Sequence, residues 1–435
     1  MSTRRSFLVT TLSAAIARTV LTVRPASARE AARPYILGAT AITEIFGDGQ
    51  RLTAVAIEHD RPVTAEMVRP ALYAVEGRTV TRVYASASAE PGSEGDGRFL
   101  IVELSPDDAA ARLYLLAAGG GTRRLPAAAT VAVTLTGAAP LPAAGEAGPP
   151  AFGSEPLSLP TGGALNLVVD DFAQGEFHDP ETGDTLAYNL FVPKDRDPAV
   201  ALPLVLFMHD AGATSTIVDT TLVQGLGAVS WASPDDQARH PAIVLAPQYA
   251  AQVVDDQSRA SSLLDTTLHL LDRVAAEQNA DRARLYATGQ SGGGMMSIAM
   301  MVKEPDRFAA AFLVACQWDP AVVAPLAQQK LWVVVSEGDA KAFPGQNAIM
   351  EVIEGAGTRV ARASWDGTST PEAFGTLVAA QTAAAAPVNY SVLKLGTVVP
   401  EGQEDNPGSN HVNTWRIAYT IPGIRDWILR QSRGA

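Results

Sequence analysis

Leu285-Tyr286-Ala287-Thr288-Gly289-Gln290-Ser291-Gly292-Gly293-Gly294 decides the fold. The first three residues belong to the segment Arg284–Ala287, which reads as a strand. The segment from about Gly292 to Val302, with Met295, Met296, Met300 and Met301, reads as a core-packed helix. Between them stands Gly-x-Ser-x-Gly. A serine in that strand-turn-helix setting occupies a strained turn, and residues larger than glycine two places to either side would strike the adjoining strand and helix. The helix start also places positive potential and a free N–H, that of Gly292, behind the hydroxyl. Ser291 is therefore the expected nucleophile.

Around this elbow, continuous apolar strands alternate with amphipathic helices. Leu202–Met208, Ala242–Ala246, Ala310–Ala315 and Leu331–Val335 read as strands; residues 260–279 carry Leu264, Leu268, Leu271 and Ala275 on one helical face. A last helix is expected at about Asn413–Arg430. Such a pattern means a mostly parallel sheet covered by helices on both faces, an α/β-hydrolase architecture, over residues 161–435.

A serine hydroxyl needs a base, and the base needs a carboxylate to fix its tautomer. One histidine follows Ser291 in the chain: His411, in Gly408-Ser409-Asn410-His411-Val412-Asn413, expected in a loop just before the last helix. Asp339 follows the strand Leu331–Val335 in Ser336-Glu337-Gly338-Asp339, where ligand-facing groups of a parallel sheet gather. It is the expected acid, with Asp366, Asp405 and Glu337 as rivals. The second oxyanion donor is expected from His209-Asp210-Ala211-Gly212, which follows the strand Leu202–Met208; Ala211 joins Gly292 in that role, and His209 holds the loop. Gln290, Gln248, Tyr249 and Trp318 are candidates for the pocket lining. His269 reads as half-buried helix packing, His59 as a solvated turn residue, and Cys316 as a buried thiol rather than a nucleophile. No His/Cys/Asp cluster has metal-ligand spacing, and the mechanism calls for no cofactor.

Residues 33–140 differ. Leu52–Ile57, Thr79–Tyr84, Phe99–Leu104 and Thr130–Leu135 are short alternating or β-branched runs separated by turn residues, which suggests a small immunoglobulin-like sandwich without a cysteine pair. Residues 141–160, crowded with Pro, Gly and Ala, read as a linker. Residues 1–28 read as a twin-arginine export signal: Arg4-Arg5-Ser6-Phe7-Leu8, a mildly apolar stretch, then Ala26-Ser27-Ala28. The formal charge is −13; removing this segment takes four arginines and no acid, leaving 29 bases against 46 acids, or −17. That surface repels nucleic acid and anionic membranes. The protein is expected in the periplasm or outside the cell, with no membrane insertion and an open oligomeric state.

With these residues in place, the chain resembles the two-domain bacterial esterases that join an N-terminal immunoglobulin-like module to an α/β-hydrolase domain, related to the polyhydroxyalkanoate-depolymerase and feruloyl-esterase-like branch. Met208-His209-Asp210-Ala211-Gly212, Thr288-Gly289-Gln290-Ser291-Gly292-Gly293, Val334-Val335-Ser336-Glu337-Gly338-Asp339 and His411-Val412-Asn413-Thr414-Trp415 carry the likeness. It implies a Ser–Asp–His triad of Ser291, Asp339 and His411 that hydrolyses carboxylic esters without a cofactor. Many relatives have glycine where this chain has Asp210. A carboxylesterase for short-to-medium acyl or aryl esters is thus the expectation. A depolymerase of polyesters, a peptidase and an exported binding protein on an inactive hydrolase scaffold are the alternatives.

Overall fold

The computed structural model describes residues 35–116, 122–134, 141–142 and 156–434. The export segment, residues 1–28, and most of the expected linker lie outside them.

The N-terminal module is a two-sheet sandwich. One sheet has Tyr35–Phe46 and Gly49–Val63 as a long antiparallel hairpin, extended by Gly97–Leu104 and Val80–Ser86; the other joins Leu157–Pro160, Thr130–Val133 and Tyr73–Val75. Val55, Ile57, Leu100, Val102, Val131 and Val133 alternate inward and are fully buried between the sheets. The expected linker is corrected here. Leu157–Pro160 pairs antiparallel with Thr130–Val133, and Ala164–Asn166 pairs in parallel with Ala41–Thr43. Leu157 and Leu159 pack on the sandwich core, and two alternating leucines bury enough apolar surface to make a strand of a proline-rich stretch. His59 is likewise not a turn residue. It lies within the strand Gly49–Val63, fully buried, and burial lowers its pKa, so it is held neutral.

The C-terminal part is a nine-stranded sheet with the α/β-hydrolase fold. Across it run Ala173–His178, Thr185–Phe191, Ile243–Gln248, Leu202–Met208, Ala280–Gln290, Ala310–Val314, Leu331–Ser336, Val388–Leu393 and Val360–Trp365. The first two are antiparallel to their neighbours and the rest are parallel. Alternate residues serve two cores. Leu204, Leu206, Leu285 and Leu313 face the helices Leu263–Glu277, Gly292–Lys303 and Ala342–Gly355, whereas Val205, Phe207, Tyr286 and Phe312 face Leu226–Ala232 and the C-terminal helices. The strand Ala280–Gln290, which leads into Ser291, is central, so the nucleophile stands mid-sheet at the strands' C-terminal edge, where an α/β sheet binds its ligand.

The expected last helix is two helices, Pro407–Ala418 and Ile424–Leu429. Pro422 cannot continue the first, and Gly423, at φ 88°, turns the chain into the second. The two parts of the molecule share packing: Tyr114 of the module is buried in the hydrolase core, and Arg124 forms a forked ion pair with Asp219 (Nη2–Oδ2 2.8 Å).

Candidate active site

Ser291 has φ 49° and ψ −119°, a conformation that costs a non-glycine residue about 1–3 kcal/mol. The elbow's glycines allow it. A Cβ on Gly289 would stand 2.6 Å from the Met208 carbonyl oxygen, and one on Gly293 would overlap that same oxygen. The Ser291 N–H bonds the Val314 carbonyl (2.9 Å), which ties the turn to the neighbouring strand.

Ser291 Oγ lies 2.8 Å from His411 Nε2, and His411 Nδ1 lies 2.5 Å from Asp339 Oδ2. Asp339 Oδ1 accepts from the N–H groups of Lys341 (3.0 Å) and Ala342 (2.9 Å), which fixes the carboxylate and leaves Oδ2 for the histidine. Burial works against the charge on Asp339. The hydrogen bond and charge of His411 and the two N–H groups more than offset it, holding the carboxyl below its usual range. An ionised Asp339 makes Nδ1 the protonated nitrogen, so Nε2 is free to accept from the serine hydroxyl.

His411 is not in a loop. It sits in the second turn of the helix Pro407–Ala418, whose start is set by Asn406: its side chain accepts from the Ser409 N–H, and the Ser409 hydroxyl takes the Asn406 N–H in return. Trp415, one turn on, meets the imidazole edge to face at 5.2 Å. Gly338 lets this helix approach, since a Cβ there would overlap the Asn410 amide. The rival acids are occupied elsewhere: Glu337 accepts from the Leu395 N–H, Asp366 from Thr368, and Asp405 from Asn410.

Ala211 opens a short turn capped by Asp210, whose Oδ1 accepts from the Gly212 N–H (2.8 Å). This leaves the Ala211 N–H for the site; it lies 3.6 Å from the position a Cβ on Gly292 would take. Ala211 and Ser291 line one cavity, and Gly292 opens the helix next to them, so both N–H groups lie on the nucleophile's side of the elbow. By bonding the Gly212 N–H, the Asp210 side chain stiffens the turn, and its Oδ2 also accepts from Gln290 (3.2 Å). His209 is buried and holds the same loop: Nε2 accepts from the Tyr249 N–H (3.0 Å), so Nδ1–H donates to the Asp210 carbonyl (2.7 Å).

Three of the four expected pocket residues are corrected. Gln290 is buried against Asp210. The Gln248 amide is spent on Thr221 N–H and the Ala213 carbonyl, a cross-brace between loops. Trp318 is packed in the sheet's core. The buried Gln248 amide spends its hydrogen bonds on protein partners, which takes it away from substrate, whereas Gln290 is turned inward with its amide oxygen unpartnered. Tyr249 does line a recess of about 20 Å³, with Ala211, Val253, Gly292 and Met296, room for about one water. On the other side of Ser291 is a cavity of about 550 Å³, walled by His411, Ala211 and Trp415 and, across from them, by Asp48, Arg112 and Tyr114 of the module. These module residues were missed because nothing local in them signals a site. Among the described residues no cluster of His, Cys, Asp or Glu is arranged to hold a metal ion. Cys316 is fully buried, and burial pushes its thiol up to about 12.

Fold and site together define an α/β-hydrolase that carries an elbow serine within reach of a histidine–carboxylate pair, behind an immunoglobulin-like module. Residues 38–145 match the family model described as the esterase Ig-like N-terminal domain, and residues 261–322, which span the elbow, match that of the prolyl oligopeptidase family. Among solved structures, one described as a thermostable esterase is 24% identical, covers 92% of this chain and 100% of its own, and superposes with a TM-score of 0.75. Looser likenesses include the feruloyl esterase module from Clostridium thermocellum (12% identity, 57% of this chain and 87% of that one, TM-score 0.40). Another is the LpqC poly(3-hydroxybutyrate) depolymerase from Bordetella parapertussis (13%, 52% and 85%, 0.32). No curated protein matches the chain.

Proposed function

We propose that the protein is a serine carboxylesterase that cleaves carboxylic esters through an acyl-enzyme. The observation that carries this reading is the unbroken line from Asp339 through His411 to Ser291 Oγ, ending beside the N–H groups of Ala211 and Gly292. His411 takes the serine proton as Oγ attacks the ester carbonyl. The alkoxide that develops is stabilised by the two N–H groups, a contribution of about 3 kcal/mol per donor in comparable sites. His411 then gives its proton to the departing alcohol oxygen, and water repeats the sequence to release the acid.

The leaving oxygen must come within hydrogen-bond reach of His411 Nε2. The larger cavity is the one His411 lines, so it takes the alcohol part, and the recess of about 20 Å³ beside Tyr249 admits no more than the methyl end of a short acyl group such as acetyl. Ser291 lies in a cleft between two domains, which favours small soluble esters over a flat polymer surface. The test is hydrolysis of a nitrophenyl ester series from acetate to palmitate, beside labelling by a fluorophosphonate. Wild type should label and should cleave the short esters fastest, and Ser291→Ala should do neither. A folded wild type that neither labels nor turns over would make the chain a binding protein on an inactive scaffold.

Export by the twin-arginine route belongs to the same proposal. Its support is the order Arg4-Arg5, apolar stretch and Ala26-Ser27-Ala28. No helix among the described residues is long and apolar enough to cross a membrane. Arg4→Lys with Arg5→Lys should retain the full-length chain inside the cell.

A further inference from the structure

The module's side of the large cavity carries a charge arrangement that ester hydrolysis itself does not require. Asp48, in the turn of the long hairpin, accepts from Arg51 Nη2 on both carboxylate oxygens (2.7 Å each) and pairs with Arg112 Nη2 (3.1 Å). Arg416, from the helix that carries His411, lines the same cavity beside Asp48. Its Nη2 reaches the Val398 carbonyl (3.2 Å), but its buried Nε has no partner. Burial lowers the Arg416 pKa, Asp48 works against that, and Arg51 and Arg112 lower it further. The second carboxylate nearby, Asp107, is 3.8 Å from Arg51 and 93% exposed. Three guanidiniums therefore share one well-placed carboxylate and one solvated one, in a protein whose formal charge is −13. Arg112 and Arg416 line the cavity with two carboxylates, Asp48 and Asp210. Asp210 is already bonded to the Gly212 N–H and to Gln290, so at the Asp48 end, with Arg51 behind it, guanidiniums outnumber the carboxylate and suit an anion.

We propose that Arg112 and Arg416 form a subsite for a carboxylate on the alcohol part of the substrate, so that the preferred esters are short acyl esters of hydroxy acids. This rests on the esterase reading above. Arg112 presents a fork that can leave Asp48 for a substrate carboxylate, a planar pairing that a neutral alcohol cannot reproduce. The subsite lies in the cavity on the His411 side, so the charge belongs to the leaving alcohol rather than to the acyl group. The reaction is ordinary hydrolysis. The bond from acyl carbon to ester oxygen breaks, Ser291 Oγ bonds that carbon, and the ester oxygen departs with the His411 proton as a hydroxy acid. Water then releases the short acid.

The test compares 4-acetoxybenzoate with 4-acetoxybenzamide, its neutral isostere, by the ratio of their kcat/KM values in the full-length protein. Comparing that ratio between enzymes cancels the intrinsic reactivity of the two esters. Arg112→Gln, at a half-exposed side chain, should lower the ratio roughly tenfold, in line with the loss of one charge-assisted hydrogen bond. Asp48→Asn removes the competing carboxylate and should raise it, a sign that general damage to the site would not give. The wild-type preference should also shrink as salt rises toward 0.5 M. Equal ratios in wild type and Arg112→Gln, with the amide turned over, would overturn the subsite and leave the esterase standing. Failure of both esters together with no fluorophosphonate labelling would overturn the esterase reading and the subsite with it.

Discussion

At the scale of single residues, the site depends on atoms that leave very little room. Gly292 shows this from the inside of the oxyanion site. A methyl there would stand 3.6 Å from the Ala211 nitrogen, an ordinary contact that the fold tolerates, but it would occupy space needed by the developing alkoxide. Gly292→Ala should fold with unchanged thermal stability and lose roughly 10²-fold in kcat, the usual cost of disabling such a donor. Gly293→Ala should behave oppositely, because its Cβ would overlap the Met208 carbonyl: loss of soluble protein precedes any loss of rate. Asp339→Asn keeps the size of the side chain but reverses the donor at His411 Nδ1, and kcat should fall about 10⁴-fold with little change in KM. The residues in this group were readable in the sequence because their constraints are local. Glycines flank the nucleophile, one histidine follows it, and an acid ends a strand between them. Gln248, Gln290 and Trp318 misled for a physical reason. Sequence position says that a residue lies at the catalytic edge, and only packing says whether its side chain turns into the core instead.

At the scale of elements, the helix Pro407–Ala418 holds His411 in place through its first turn. Asn406→Ala removes the cap and should cost about 1 kcal/mol. Because His411 sits within two turns of the frayed end, the loss should show in kcat more than in unfolding. The signal was present as Asn406-Pro407-Gly408-Ser409, a cap with proline at the first helical position. Gly408 in the same stretch argues for a loop, and the cap prevails because four otherwise unpaired N–H groups need acceptors. A second element is pinned by charge. His269, on the helix Leu263–Glu277, bonds Asp179 (2.7 Å) in the turn after Ala173–His178. The Asp179 hydrogen bond and charge raise the His269 pKa. Burial opposes the charge on Asp179, yet His269, the Glu181 N–H and the Thr182 hydroxyl bring it down to about 2. The histidine's contribution is whole below its unfolded value of about 6.5 and is lost as pH rises through its higher folded value. The aspartate's is whole above its unfolded value of about 3.9 and is lost as pH falls toward 2. His269→Ala should therefore lower Tm clearly at pH 5.5 and much less at pH 8.5, measured by differential scanning calorimetry at both.

At the scale of the whole molecule, the module is part of the active-site architecture. Its hairpin turn meets the His411 helix at Gly47, where a Cβ would stand 2.5 Å from the Arg416 carbonyl oxygen. The Gly47 carbonyl in turn lies 3.2 Å from the place a Cβ on Gly225 would take, beside the helix Leu226–Ala232. Tyr114 and the Arg124–Asp219 pair anchor the rest of that face. None of this was legible in the sequence. The sandwich strands could be read from their alternation, but Asp48 and Arg112 line one cavity with a serine some 200 residues away, and no periodicity encodes such a juxtaposition. Gly47→Ala tests the arrangement. The added methyl would strike the Arg416 backbone, so the hairpin must lift from the helix, carrying Asp48 and its arginines with it. A displacement of about 1 Å at a group that positions substrate costs up to roughly 100-fold in rate. The expected result is a fall in kcat/KM for aryl acetates while fluorophosphonate labelling of Ser291 persists, because the triad itself is built within the hydrolase domain. Arg124→Ala, which loosens the module away from the cavity, should lower Tm more than it lowers kcat/KM. Should Gly47→Ala keep full activity, the module would be a neighbour of the cavity rather than its wall, and the substrate's alcohol part would have to be held by the hydrolase domain alone.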